Sequence, residues 1–132
     1  MRVVLDTCAW IWLASDRARL SPAAIEAIET ARAAREVLVP VIACWEVAKL
    51  VEKGRISFRM PVSEWIARAL RLEGLGLQPL TPQICVASTE LPGEFHGDPA
   101  DQLIVATARV LGVALVTADR KIREYPHVAT IG

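Results

Sequence analysis

Short runs of β-branched and other apolar residues alternate along this chain with stretches whose apolar positions recur at helical spacing, and that alternation restricts the fold more than any other feature. Residues 2–5 (RVVL) form a first strand-like run that stops at Asp6, after which Trp10, Leu13 and Ala14 follow helical spacing. Ser21-Pro22 reads as an N-cap followed by proline at the first helical position, predicting a helix through Ile25 and Ile28 to about Ala34. Residues 36–42 (EVLVPVI) predict a second strand. From Ala43 the apolar positions Trp45, Val47, Ala48, Leu50 and Val51 predict a helix closed by Gly54, with Glu46 in its first turn or two. A basic connection, 55–61, leads to a helix marked by Trp65, Ile66, Ala69, Leu70 and Leu72 and stopped by Gly74 and Gly76. Residues 76–80 (GLQPL) then predict a short strand. Thr81-Pro82 and Asp98-Pro99 repeat the cap-then-proline signal. The first opens a helix through Ile84, Val86 and Ala87; the second, after the loop 94–97, opens the apolar helix 100–111 that Gly112 ends. Residues 113–117 (VALVT) predict a further strand, 118–125 a short helix and 127–131 an edge strand.

Short apolar strands separated by helices require crossovers between parallel strands, hence an α/β fold: a three-layer sandwich with a central parallel sheet of four to five strands and helices on both faces. At 132 residues, 53% hydrophobic and 23% charged, the chain is expected to form a single domain over residues 1–132 with a sizeable core of its own. The 15 Lys+Arg and 15 Asp+Glu cancel, so no global field draws the chain to phosphate or to a membrane, and local patches must do any such work. One patch is evident: residues 49–71 hold six basic side chains against Glu52 and Glu64, whereas 72–108 hold five acids and no Lys or Arg. Cys8, Cys44 and Cys85 are widely spaced and odd in number, which suits free thiols in a reducing compartment. The longest apolar run, 37–45, falls short of the ~20 residues that span a bilayer, and the expectation is a soluble, cytoplasmic protein.

In parallel α/β sheets, ligands bind outside the carboxyl ends of the strands. Asp6 stands at such an end, and Asp119 lies two residues beyond the run 113–117. Helices that return antiparallel to the strands begin at the same edge, which adds Glu46 and the pair Asp98 and Asp101. Four ionised carboxylates ~5 Å apart would repel by ~3 kcal/mol per pair at an effective dielectric of ~20. Helix amino termini offset only ~0.3–1 kcal/mol per acid. Protonation, separation or a bound cation must relieve the remainder, and a hard divalent ion does so most economically. Oxygen-only ligands select Mg2+ or Mn2+, an ion that polarises phosphoryl oxygens and acidifies water, so phosphodiester hydrolysis is the expected chemistry.

In these residues the chain resembles the PIN-domain ribonucleases, specifically the VapC-type toxins of type II toxin–antitoxin pairs. The blocks that carry the resemblance are VVLDTCAWIWL (3–13), LSPAA (20–24), WEVAKLVEKGRI (45–56), HGDPADQLIVATA (96–108) and LVTADRKI (115–122), in this order over nearly the whole chain. The resemblance implies a catalytic, metal-holding quartet of Asp6, Glu46, Asp101 and Asp119. Asp98, from the D-P-x-D form of the fourth block, is a fifth candidate ligand. It further implies strand order 3-2-1-4-5, a homodimer, an endoribonuclease that cuts tRNA or other structured RNA and so arrests translation, and a cognate antitoxin that covers the acidic groove. Cys8 departs from the Asn, Ser or His frequent two residues after the first Asp.

Blander roles stand beside these. Asp98, Asp101 and Asp119 also suit helix amino termini, and Glu46 an exposed helical position. Asp6 is hardest to explain without function, since an acid ending a buried strand loses solvation. Thr7 and Thr117 either donate to a ligand carboxylate or phosphate or simply follow β-propensity. Lys49, Arg120 and Lys121 either grip RNA phosphates or form solvated helix faces. Trp10, Trp12 and Trp45 either stack on bases or form a dimer patch, or else belong to the core, which is the expectation for Trp45. His96, in H-x-D, is either a ligand or general base or a solvated loop histidine, the last being the expectation because magnesium seldom takes imidazole, and His127 has no evident role. The rival enzyme is a haloacid-dehalogenase-like phosphatase, whose D-x-D signature Cys8 interrupts; the non-enzymatic rival is a PIN-like module that only binds a partner. No G-x-S-x-G motif supports a serine hydrolase.

Overall fold

In a computed structural model describing residues 1–132, the elements follow the expected alternation. Strand β1 (Val3–Leu5) leads to α1 (Thr7–Ser15), a 3-10 turn at Arg17–Arg19 and α2 (Pro22–Ala33). Next come β2 (Val37–Pro40), α3 (Val41–Glu52), α4 (Val62–Leu70), β3 (Leu75–Gln78) and α5 (Pro82–Ser88). Helix α6 (Pro99–Leu111), β4 (Ala114–Val116), α7 (Arg120–Arg123) and β5 (Thr130–Ile131) complete the chain. All four strand pairings are parallel and the order is β3-β2-β1-β4-β5.

Central β1 shows why an unbroken apolar strand is needed there. Successive side chains point to opposite faces, so Val3 and Leu5 enter a core with Trp10, Ile28, Val47 and Trp65 from α1 to α4, while Val4 enters another with Ile104, Val105, Leu115 and Ile122 from α6, β4 and α7. Trp10 and Trp65 meet edge to face with centroids 5.1 Å apart, and Phe58 stacks on Trp65 at 4.4 Å, which fastens α4 to α1.

Among the boundaries that shift from the sequence expectation, three stand out. Val41 and Ile42 open α3 instead of extending β2, because a continuous apolar run carries no period that separates a strand end from a helix start. Strand β3 begins at Leu75 and ends at Gln78, before Pro79, which has no N–H for a ladder. Just ahead of it Gly74 adopts φ +83, and a Cβ there would stand 2.4 Å from the Arg32 carbonyl oxygen, so only glycine lets α2 and β3 approach. Strand β5 contracts to two residues at the open edge.

Candidate metal centre

Each acidic side chain reaches the carboxyl edge of the sheet by its own local device. Asp6 follows β1 directly; its backbone N–H donates to the Val116 carbonyl at 3.1 Å, and its Oδ1 caps α1 by accepting from Ala9 N at 2.8 Å. Asp98 caps α6 through Asp101 N at 3.0 Å, and Asp119 caps α7 through Lys121 N and Ile122 N at 2.8 and 3.2 Å. Capping and cleft-lining are therefore not competing roles. One carboxylate oxygen is enough for the cap, and fixing it orients the other. Glu46 sits in the second turn of α3, where Thr7 Oγ1 donates to its Oε1 at 2.5 Å. Asp101 stands in the first turn of α6.

Asp6, Glu46, Asp98, Asp101 and Asp119 all line one cleft, together with Thr7, Cys8 and Trp12 at its wall. The tightest grouping is Glu46, Asp98 and Asp101, whose ligand oxygens all lie within 4.8 Å of one another. Asp98, which the sequence offered only as a fifth candidate, thus belongs to the closest trio, while Asp6 and Asp119 stand around it. No Lys or Arg forms an ion pair with any of the five.

The electrostatics register that lack of neutralisation. Burial pushes the Asp6 carboxyl up to about 6, against the hydrogen bonds from Thr117 and Ala9 N, with the charges of Asp119 and Glu46 adding to the rise. Asp101 is pushed up to about 7, first by burial and then by Asp98, Glu46, Asp119 and Asp6. Glu46 is also raised, by burial and by Asp98, against the Thr7 hydrogen bond. The Cys8 thiol, at the rim, is pushed up to about 11 by burial and the neighbouring acids, so it is neutral and a poor nucleophile at physiological pH. A hard divalent cation fits this donor set: all oxygen, converging, partly desolvated and unneutralised.

Two residues depart from the sequence expectation. Trp45 is 54% exposed, not core, because α3 turns Ala43 and Val47 inward and leaves position 45 outside; Trp10 fills the interior instead. His96 is not a free loop side chain. Asp98 N donates to its Nδ1 at 3.4 Å, its ring packs on Phe95 at 4.4 Å, and its Nε2 lies 3.2 Å from Asp101 Oδ2, out of water and without hydrogen-bond geometry. The H-x-D spacing is a signal for that proximity, but which side of the loop the ring takes is set by Phe95, packed in turn on Tyr125. Thr117 Oγ1 accepts from Asp119 N at 3.0 Å and hydrogen-bonds Asp6, so it joins two of the acids. Arg120 pairs with Glu124, Lys49 with Glu52, and neither these cations nor Lys121 line the acidic cleft itself.

The PIN domain model matches residues 3–128. Ribonuclease VapC22 of Mycobacterium tuberculosis is 40% identical over 126 residues, which cover 95% of this chain and 92% of that relative. Among solved structures, VapBC2 from Rickettsia felis bound to a promoter DNA fragment superposes with a TM-score of 0.72 at 15% identity, over 98% of this chain and 97% of that one. DNA-bound VapBC from Salmonella typhimurium gives 0.71 at 16%, over 98% and 96%. A toxin–antitoxin complex from Klebsiella pneumoniae gives 0.64 at 21%, over 97% and 96%. At these identities the superpositions speak for the fold, and the 40% relative with the domain match speaks for the family. By sequence over nearly its whole length and by strand order, the chain belongs to the PIN-domain family.

Proposed function

We propose that this chain is a metal-dependent endoribonuclease, a single nuclease domain over residues 1–132, that acts in the cytoplasm as the toxin of a toxin–antitoxin pair and inhibits translation. The observation that carries the reading is the convergence of Glu46, Asp98 and Asp101 within 4.8 Å, in a cleft shared with Asp6 and Asp119 and free of Lys or Arg ion pairs. Likeness to a ribonuclease over 95% of the chain supports the reaction class.

In this reading Asp6, Glu46, Asp101 and Asp119, with Asp98, hold Mg2+ or Mn2+. Such an ion, when bound, supplies electrophilic polarisation of the scissile phosphate and a lowered pKa for water. The chain's own residues prepare the site. Thr7 fixes the Glu46 carboxylate and Thr117 steadies Asp6. The four cap hydrogen bonds hold Asp6, Asp98 and Asp119 so that little reorganisation is needed when the substrate arrives. Lys49, Arg120 and Lys121 are the proposed phosphate contacts, since an acidic centre alone repels RNA. The proposed partners are RNA, including tRNA or another structured RNA, a cognate antitoxin over the cleft, and a second copy of the chain.

Cleavage of a structured RNA by the purified protein, with and without excess EDTA, tests the reading. Activity in Mg2+ that is lost in EDTA and in both Asp6→Asn and Asp101→Asn is expected. Equal activity in EDTA, or full activity in both variants, overturns it. Capture of a phosphate ester on Asp6 instead establishes the phosphatase.

A further inference from the structure

A second groove shares Glu46 and Asp98 with the acidic cleft and continues along Trp45, Lys49, Lys53 and Arg55. Its chemistry is opposite to that of the cleft. Trp45 presents its indole to solvent, 54% exposed, whereas Trp10 and Trp65 are buried and Trp12 is half-buried beneath the Arg19 guanidinium, 4.7 Å from its ring. Lys49 Nζ stands 5.9 Å from the Trp45 ring centroid and is held to Glu52 at 2.9 Å. Lys53 and Arg55, both exposed, enter no ion pair.

A flat aromatic face with unspent cations on one side, opening on the other into a carboxylate centre, suits one type of ligand. Single-stranded nucleic acid is held by bases stacking on aromatic faces and by cations tracking the phosphates. We propose that this groove seats single-stranded RNA beside the scissile phosphate, one base stacked on Trp45 and the adjoining phosphates on Lys53 and Arg55. The inference rests on the nuclease reading and adds to it the side chains that hold the strand, Trp45, Lys53 and Arg55. Charge selects the occupant: Lys53 and Arg55 are exposed and enter no ion pair, and a nucleic-acid backbone brings the opposite charge to them.

A mixed-sequence single-stranded RNA octamer, titrated into the Asp101→Asn protein to prevent cleavage, gives the test. Quenching of tryptophan fluorescence is expected. Trp45→Ala in that background should weaken binding by ~10-fold or more, as loss of a stacked base does. Trp45→Phe should bind within about threefold of the parent, because phenyl also stacks, yet lose most of the quench. Lys53→Gln with Arg55→Gln should flatten the dependence of log K on log salt by about 1.4, at ~0.7 for each phosphate that the two cations no longer neutralise. Unchanged affinity and quench in Trp45→Ala overturn the inference. Dissociation of a dimer by Trp45→Ala, seen in sedimentation with RNA affinity unchanged, also overturns it and makes this face a contact between copies. If the wild-type chain cleaves RNA while Trp45→Ala binds normally, only this inference falls; if the wild type neither binds nor cleaves RNA, the nuclease reading falls with it.

Discussion

Thr7 Oγ1 donates to Glu46 Oε1 at 2.5 Å across 39 positions of sequence, joining the first residue of α1 to the second turn of α3 at the centre of the acidic cleft. The bond aims a carboxylate that would otherwise be free to turn on a helix surface. Hydrogen bonds to charged groups contribute about 1.5–3 kcal/mol. Thr7→Val should therefore reduce RNA cleavage by roughly tenfold or more by that figure and raise the Mg2+ concentration needed for half-maximal rate. Thr7→Ser should retain most of both. Steady-state cleavage across a Mg2+ series distinguishes the hydroxyl from the packing of the methyl group.

Stability without metal should fall as pH rises through the acidic range. Asp6 and Asp101 have folded pKa values raised from 3.8 to about 6 and about 7, so between those limits the folded state binds more protons than the unfolded one. Each proton lost on the way up is lost from the folded state at a cost, and stability falls from about pH 4 to about pH 7, then levels. Ionising buried Asp6 alone costs about 3 kcal/mol at ~1.4 kcal/mol per unit of pKa. Ion-paired Glu29, whose pKa is lowered, works the other way and loses its stabilisation as pH falls below the ordinary Glu range, which offsets only part of the gain from Asp6 and Asp101. Urea unfolding in EDTA from pH 4 to 8 should give a stability that falls from pH 4 to about pH 7 and then levels, and a curve that rises toward pH 7 contradicts the account of the cluster.

Asp119 serves both the cleft and a helix, and two substitutions separate those roles. Asp119→Asn keeps an oxygen for the α7 cap and should leave metal-free stability nearly unchanged or raise it, while removing most cleavage. Asp119→Ala should remove cleavage and in addition cost about 1 kcal/mol, the usual worth of an N-cap, because Lys121 N and Ile122 N lose their acceptor. Denaturant midpoints in EDTA report the difference.

The tryptophans should differ in the same way that their burial does. Trp65, wedged between Trp10 and Phe58, is 6% exposed, and Trp65→Ala should cost about 3–5 kcal/mol. Trp45→Ala should change stability by no more than about 0.5 kcal/mol, as at other surface positions. Thermal unfolding of the two variants is the measurement.

These tryptophans also mark the limit of what is legible in the sequence. The order of strands and helices is readable because the cap-proline pairs at 21–22, 81–82 and 98–99 and the glycine at 112 are local signals read by the backbone itself. Convergence of Asp6 and Asp119 on one edge follows from the polarity of parallel strands, a constraint on the whole sheet. Trp45 and Trp65 carry the same side chain at similar helical spacing, and only the partners across the fold decide which one is covered. The place of His96 likewise depends on Phe95 and Tyr125, 30 residues apart, and the Thr7–Glu46 bond on how α1 meets α3. A chain read residue by residue gives helix ends and strand polarity, but not which face of a helix its tertiary neighbours occupy.

Thermal unfolding of the purified protein at pH 7.5, titrated with Mg2+ from EDTA to several millimolar, tests the claim that the five carboxylates form one cation site. The expected result is a melting temperature that climbs with the logarithm of Mg2+ in the wild type, as a ligand of the folded state requires. Asp6→Asn and Asp101→Asn should melt higher than the wild type in EDTA and respond little to Mg2+. A wild-type melting temperature indifferent to Mg2+ and Mn2+, or a response undiminished in both variants, would contradict it.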